Sequence, residues 1–346
     1  MATARHLQGA RQRGISLVEL MISMTLGLVL TAAIVQIYLS SRRNQDLQAS
    51  LTGRQEAARF AAQAIERDAK MAGFRGCLRD VGNVRSALND PNDFLWNFAD
   101  YVGGFEADGG GWAPGLPASI AGAAPLAGSD VLTLRTADDP GGVFLTVPMP
   151  TDSSELVTRS DFGAAPLAAG DIAVVTDCGG AAIFQVSSFA AGSGEIAHEP
   201  GGGLVPGNAS VDLDRRFPDG AQVFTLRTTS YFIADSEAGT GPALWRRDGA
   251  DEPVELAAGV ENMQVLYGED TDGNRAPDVY VTADAVVDWR RIVSIQVALL
   301  VAGVQDNVAD EDPREFTLLD QVVGPFDDGR LRRVIGFTVA LRNRIT

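Results

Sequence analysis

Lysine and histidine are almost missing from this 346-residue chain: Lys70 is the only lysine, and the histidines are His6 and His198. A Schiff base or a phosphate-gripping lysine therefore has one candidate, within a charged helical segment. A histidine triad or zinc site would have to be built around His198, in a Gly/Pro-rich loop. No GxxxxGK[ST] or GxSxG motif is present, and the GGG runs at 109 and 201 precede no helical pattern. The acid pairs Asp138-Asp139 and Asp327-Asp328 read as solvent-facing, and no enzyme is expected. Positive charge is scarce too: 28 Lys+Arg against 45 Asp+Glu leave a formal charge of −17, which argues against an electrostatic hold on nucleic acid or anionic lipid. The two cysteines, Cys77 and Cys178, form no CxxC pair, so a zinc ribbon or thioredoxin-type site is excluded. An exported body would favour one bridge, a cytosolic one two small buried thiols. Proline is absent until Pro91, so none interrupts a helix before Gly73 stops it.

What is present is an ordinary globular balance, 45% hydrophobic and 21% charged, enough for one large or two medium domains and incompatible with wholesale disorder. Thirty-eight glycines and 16 prolines predict a loop-rich body. Residues 1–14 carry Arg5, Arg11 and Arg13 and no acid; Ile15–Leu39 is apolar almost throughout, and charge returns at Arg42 and Arg43. As a helix, residues 15–39 span about 37 Å, enough to cross a hydrocarbon core of roughly 30 Å. The basic head keeps the N-terminus cytoplasmic and sends the acidic body across, where a bridge can persist. A secretory signal has a shorter apolar core. An uncleaved anchor fits the length, but neither explains Glu19, whose charge in a bilayer costs on the order of 3 kcal/mol.

Residues 40–75 continue as an amphipathic helix, with Leu47, Leu51, Ala58, Ala61, Ile65, Ala69 and Ala72 on one stripe. That stripe is expected to pack on the chain's own sheet. Residues 76–346 form the body. Within it, 83–129 is rich in Gly, Ala, Pro, Asp and Asn and predicts a long loop region, pinned by Trp96, Phe98, Tyr101, Phe105 and Trp112. Strand patterns follow at Val131–Thr136, Val143–Val147, Ile172–Thr176, Ala182–Val186, Val223–Ile233, Val260–Tyr267, Ile292–Val301, Phe316–Val322 and Leu331–Leu341. Frequent turns without alternating helices indicate an α+β fold, antiparallel sheet on a helical stem.

Gly14 followed by Ile15-Ser16-Leu17-Val18-Glu19-Leu20 resembles the type IV prepilin (class III) signal, in which glycine precedes F-T-L-I-E. The resemblance implies cleavage between Gly14 and Ile15 by a prepilin peptidase, N-methylation of Ile15, and an assembly role for Glu19. A freed α-amino group on Ile15 could pair with the Glu19 of a neighbouring subunit, since an unpaired charge in low dielectric is costly. Further blocks are similar to the PilW family of minor pilins: Arg59-Phe60 through Arg67-Asp68, Met71-Ala72-Gly73-Phe74, Gly76-Cys77, Gly170-Asp171-Ile172 through Asp177-Cys178, Val260-Glu261-Asn262-Met263-Gln264, and Val339-Ala340-Leu341-Arg342-Asn343-Arg344. This resemblance implies a pilin-like α+β fold and a subunit inserted in the inner membrane with a periplasmic body, then carried into the pilus. It implies partners among other minor pilins, the major pilin, the inner-membrane assembly platform and a tip adhesin, and a Cys77–Cys178 bridge at the end of the stem. A J-type pseudopilin of type II secretion and a single-span ligand-binding receptor are the alternatives.

One further motif stands outside that resemblance. Asp270, Asp272, Asn274 and Asp278 alternate as oxygen ligands do in calcium loops. Arg275 stands where such loops place glycine, and no closing glutamate follows, so a plain acidic β-turn is the competing reading. Calcium is the one cofactor expectation.

Overall fold

A single helix dominates the computed structural model, which describes residues 16–74, 76–78, 83–162, 164–303 and 314–345. Helix α1 runs unbroken from Leu17 to Met71, 55 residues, about 82 Å at 1.5 Å per residue. Neither Gly27 nor Gly53 interrupts it. Ser16 caps its start: in extended conformation, its Oγ accepts the Glu19 N–H at 3.2 Å. At the far end Gly73 takes φ +75°, and a Cβ there would lie 2.8 Å from the Tyr101 ring, so both the turn and the contact require glycine.

The body carries eighteen strands among the described residues. In chain order they are β1 (Val84–Ser86), β2 (Val102–Ala107), β3 (Trp112–Ala113), β4 (Val131–Phe144), β5 (Leu156–Val157), β6 (Ile172–Thr176), β7 (Ala181–Gln185), β8 (Ser188–Ala190) and β9 (Glu195–Ala197). There follow β10 (Gln222–Asp235), β11 (Pro242–Asp248), β12 (Val254–Ala258), β13 (Val260–Glu269), β14 (Val279–Val281), β15 (Ile292–Ala302), β16 (Phe316–Leu318), β17 (Gln321–Val323) and β18 (Arg332–Ala340). Two four-residue helices, α2 (Ala118–Ala121) and α3 (Arg342–Ile345), and two 3-10 turns at Ala283–Ala285 and Trp289–Arg291 accompany them.

The large sheet is ordered β1-β7-β6-β10-β4-β2-β3, with β11 and β12 attached at β10; a second sheet runs β14-β13-β15-β18. Two smaller sheets are β16-β17 and β5-β9-β8. The C-terminal half of α1 lies over both larger sheets, and Ala61, Ile65 and Ala69 are fully buried with Leu132, Leu134, Tyr231, Met263, Val297 and Leu299. Alanine at these positions removes side-chain bulk and lets the helix backbone sit close to the strands. On β15 alternate residues serve two cores: Val297 and Leu299 face the stem, while Ala298 and Leu300 face the β16–β17 hairpin. That is why the strand reads as a continuous apolar run.

Several expectations need correction. The segment 83–129 is not a bare loop: it contains β1, β2, β3 and α2, and β2 pairs antiparallel with β4 inside the large sheet. Its Gly103-Gly104 pair disguised the strand, yet Gly104 is required because a Cβ there would lie 1.8 Å from the Tyr267 hydroxyl oxygen. The aromatics do pin this segment, with Phe98, Tyr101 and Phe105 buried. Phe316–Val322 is a hairpin, β16 turning at Leu319 (φ +54°) into β17, rather than one strand. β1 and β7 pair in parallel, so the large sheet is mixed. The stem stripe is buried from Ala58 onward, while Leu47 and Leu51 are half-buried.

Candidate assembly site

The first half of α1 is uncovered by the rest of the described residues. Its 18-residue apolar window has mean hydropathy 2.1 and none of it is buried; Leu17 and Leu28 are 77% and 74% exposed. The hydroxyls in this half are satisfied by their own helix: Ser23 Oγ donates to the Glu19 carbonyl at 2.6 Å, Thr25 Oγ1 to that of Ile22 at 2.9 Å, and Thr31 Oγ1 to that of Gly27 at 2.8 Å. A span whose hydroxyls find partners on its own backbone suits hydrocarbon. Glu19 is in the first turn, exposed, beside the helix N-terminus that favours a carboxylate. Ser16-x-x-Glu19 has the capping-box spacing, a signal legible in the sequence that was not singled out there. Gly14 and Ile15 lie outside the described residues.

The second half is fastened to the body. Tyr231 donates to Asp68 Oδ2 at 2.7 Å, and Arg246 reaches the same carboxylate at 3.6 Å. Burial and the Asp68 charge raise the Tyr231 pKa far above its ordinary value, keeping the phenol a donor. Asn343 Nδ2 donates to the Ala72 carbonyl at 3.0 Å, so the last helix of the chain closes the stem. Just beyond, Cys77 is disulfide-bonded to Cys178 with Cα atoms 4.8 Å apart, tying the end of the stem to the β6–β7 turn across 101 residues of sequence. Arg215 ion-pairs Asp177 beside that turn.

Where the two sheets meet, Asp130 accepts the Ala107 N–H at 2.9 Å and the Val265 N–H at 2.8 Å, joining β2 to β13. Desolvation, reinforced by the Glu106 charge, pushes Asp130 up to about 8. Desolvation also pushes Glu106 up to about 7, against the Ala283 N–H and with the help of Asp320 and Asp284. Arg135, buried under the 94–101 segment, donates to the carbonyls of Asp100 (3.0 Å) and Phe94 (2.8 Å); desolvation lowers its pKa to about 10. Neither Asp130 nor Arg135 stood out in the sequence, where each is a polar residue at or in an ordinary strand.

His198 is buried beside Phe184, its Nε2 2.9 Å from the Val211 carbonyl oxygen, and desolvation lowers its pKa. At the acidic turn between β13 and β14, carboxylate oxygens of Asp270, Asp272 and Asp278 lie within 4.8 Å of one another. The same oxygens build the turn. Asp270 accepts the N–H groups of Gly273 (2.7 Å) and Arg275 (2.9 Å), Asp278 those of Thr271, and Asn274 Oδ1 the N–H of Ala276. Against partial desolvation, the N–H donors hold the Asp270 pKa below the usual range. Asn274 also donates through Nδ2 to Asp272 Oδ2 at 2.9 Å, and Arg275 adopts the left-handed conformation (φ +70°) that calcium loops give to glycine.

An apolar half-helix projecting from an α+β body, with an acid in its first turn, defines a pilin-like subunit. Residues 9–35 match the family model of the prokaryotic N-terminal methylation motif, and the chain is a type IV pilus-related, pilin-like protein. Residues 230–343, from β10 through α3, match the family model of Type IV Pilus-assembly protein W, PilW. The similar blocks around Arg59–Cys77 and Gly170–Cys178 fall between the two matched spans. No curated protein and no solved structure matches the chain significantly. The methylation signal and the single apolar helix fit anchoring in the inner membrane followed by passage into the pilus.

Proposed function

We propose that this chain is a minor pilin: a structural, assembly-priming subunit at or near the tip of a type IV pilus, cleaved after Gly14 and N-methylated on Ile15. The observation that carries the reading is the half-helix Leu17–Leu39, apolar, uncovered by its own body, and bearing a carboxylate at Glu19. Such a surface is at home in a bilayer and, after extraction, needs a bundle of like helices around it. In that bundle Glu19 neutralises the α-amino group of a neighbouring subunit and sets the axial register between stems. Its partners in this reading are the prepilin peptidase, the inner-membrane platform, the major pilin, other minor pilins and a tip adhesin. The PilW match supports the pilus over the type II secretion pseudopilus.

N-terminal sequencing of membrane and sheared-pilus fractions tests the proposal. The expected mature chain starts at methylated Ile15 in both fractions, and Glu19→Ala is expected in the membrane but not in pili. Retention of Met1, or equal entry of Glu19→Ala into pili, overturns it. The calcium reading of Asp270, Asp272 and Asp278 is proposed on the clustered carboxylates alone. Calorimetry on the full chain in detergent tests it: heat that disappears in Asp270→Asn supports the site, and no heat on adding Ca²⁺ retires it.

A further inference from the structure

Where α1 crosses β18, positive charge gathers on one groove with no ion-pair partner among the described residues. Arg54 and Arg59 on α1 face Arg333 on β18 across a groove of about 460 Å³. Its floor is apolar, formed by Ala58, Ile335 and Phe337. None of the three arginines has an ion-pair partner among the described residues, and the Arg54 Nε is buried without a hydrogen-bond partner. Glu66, the one acid lining the groove, is already paired with Lys70 at 2.8 Å. Burial, together with the nearby Arg333 charge, lowers the pKa of Arg54. In a chain of net charge −17, guanidiniums set against one another rather than against carboxylates mark a surface that awaits negative charge.

The geometry of the groove describes its occupant. Arg54, Ala58 and Ala62 recur every fourth residue along α1, and Arg333, Ile335 and Phe337 alternate along β18, the outer strand of its sheet. From Arg54 to Glu66 the helical wall is about 18 Å long. The same uninterrupted helix carries the exposed Leu17–Leu39 surface. A neighbouring stem that covers that surface is therefore led along α1 toward the groove.

We propose that this groove receives the polar half of the stem helix of a different pilin, with carboxylates meeting Arg54, Arg59 and Arg333 and apolar side chains resting on Ala58 and Phe337. The inference rests on the minor-pilin reading and adds to it the chemistry and position of a specific neighbour.

A benzophenone amino acid placed at the exposed Gln55, in full-length protein in piliated cells, tests it. The expected photo-adduct maps to a Glu/Asp-bearing stem segment of another pilin. The Arg54→Glu, Arg333→Glu pair is expected to lower its yield about tenfold or more, and the corresponding Arg→Lys pair to keep it within about threefold. A cooperative thermal transition like the parent's, with the Cys77–Cys178 bridge intact by mass, verifies that each variant is folded. If the reversed pair fails that check, Arg59→Glu on the exposed rim is expected to lower the yield about threefold. Equal yields from parent and charge-reversed protein, or adducts only to the chain's own body, to a second copy of it or to lipid, overturn the proposal. The same probe at Leu28 separates the two levels. Adducts to other pilins from Leu28 but none from Gln55 reject the groove alone, whereas none from either position rejects the pilin reading as well.

Discussion

The two halves of α1 are one continuous helix with opposite relations to the rest of the chain. From Leu17 to Leu39 its apolar side chains point outward and are uncovered by the described residues of the body. From Ala58 to Ala72 the apolar positions are smaller, confined to one stripe, and buried against two sheets. Hydrophobicity is thus greatest where intramolecular packing is absent. A soluble stem would have the reverse distribution, since exposed apolar surface of this extent requires lipid or partner subunits. The difference teaches that folding and assembly are divided between the halves: the second determines whether the body folds, the first where the folded body goes.

That division can be broken most forcefully through pH. Asp130 and Glu106 are buried at the seam of the sheets with pKa values raised to about 8 and 7, so the folded body holds protons that the unfolded chain releases above about pH 4. Between about pH 4 and 8 the native state binds more protons, and stability falls as pH rises. Denaturation of the full chain in detergent is expected to show this decline. Glu106→Gln is expected to flatten it, by removing one titrating group and the charge that raises the other. A midpoint independent of pH from 5 to 8.5 would contradict the prediction.

Removing the bridge with Cys77→Ser and Cys178→Ser comes next. For a loop of about 100 residues, the chain-entropy treatment gives a loss of about 4–5 kcal/mol. A loss below 1 kcal/mol would show that the stem's end is already fixed by Asn343 and the strands beneath it. Sharper as a comparison is Ile65→Ala against Leu28→Ala. The buried isoleucine is expected to cost about 2–5 kcal/mol, and the uncovered leucine less than about 0.5 kcal/mol in body stability. Leu28→Ala should instead reduce membrane retention or pilus entry. Equal destabilisation by both would erase the distinction between the halves. Below the isoleucine in expected size comes Tyr231→Phe. It removes a hydrogen bond to the Asp68 carboxylate and is expected to cost about 1.5–3 kcal/mol, less any recovery through the Arg246–Asp68 pair.

Much of this arrangement was legible without coordinates because local composition carried it. The Ile15–Leu39 run, the 3–4 residue stripe and the β-branched runs are properties of neighbours in sequence; from Leu17 onward the first two gave the expected helix, and most of the runs gave strands, although Val143–Val147 formed no strand of its own, Val143 and Phe144 closing β4. β2 was hidden because its centre is Gly103-Gly104, and glycine there answers to the Tyr267 side chain arriving from 164 residues away. β11 and β12 went unrecognised for a related reason. Their sequences, Pro242–Asp248 and Val254–Ala258, are mixed in polarity and become strands by pairing with each other and with β10. At the acidic turn, the alternation of carboxylates was visible, but not that their lone pairs are engaged by N–H groups of the same turn.

By itself the sequence determined that a long apolar helix with a basic head precedes an acidic, β-rich body, because hydropathy and charge act through composition over short windows. It also determined that two cysteines were present, and that one bridge could form only outside the cytoplasm. Only the tertiary structure decided which of them meets what: that Asp130 joins two sheets, that Arg135 holds down the 94–101 segment, and that three arginines from α1 and β18 converge on one groove. Those relations depend on backbone paths that bring together residues tens to hundreds of positions apart, and no periodicity in a chain records such a meeting.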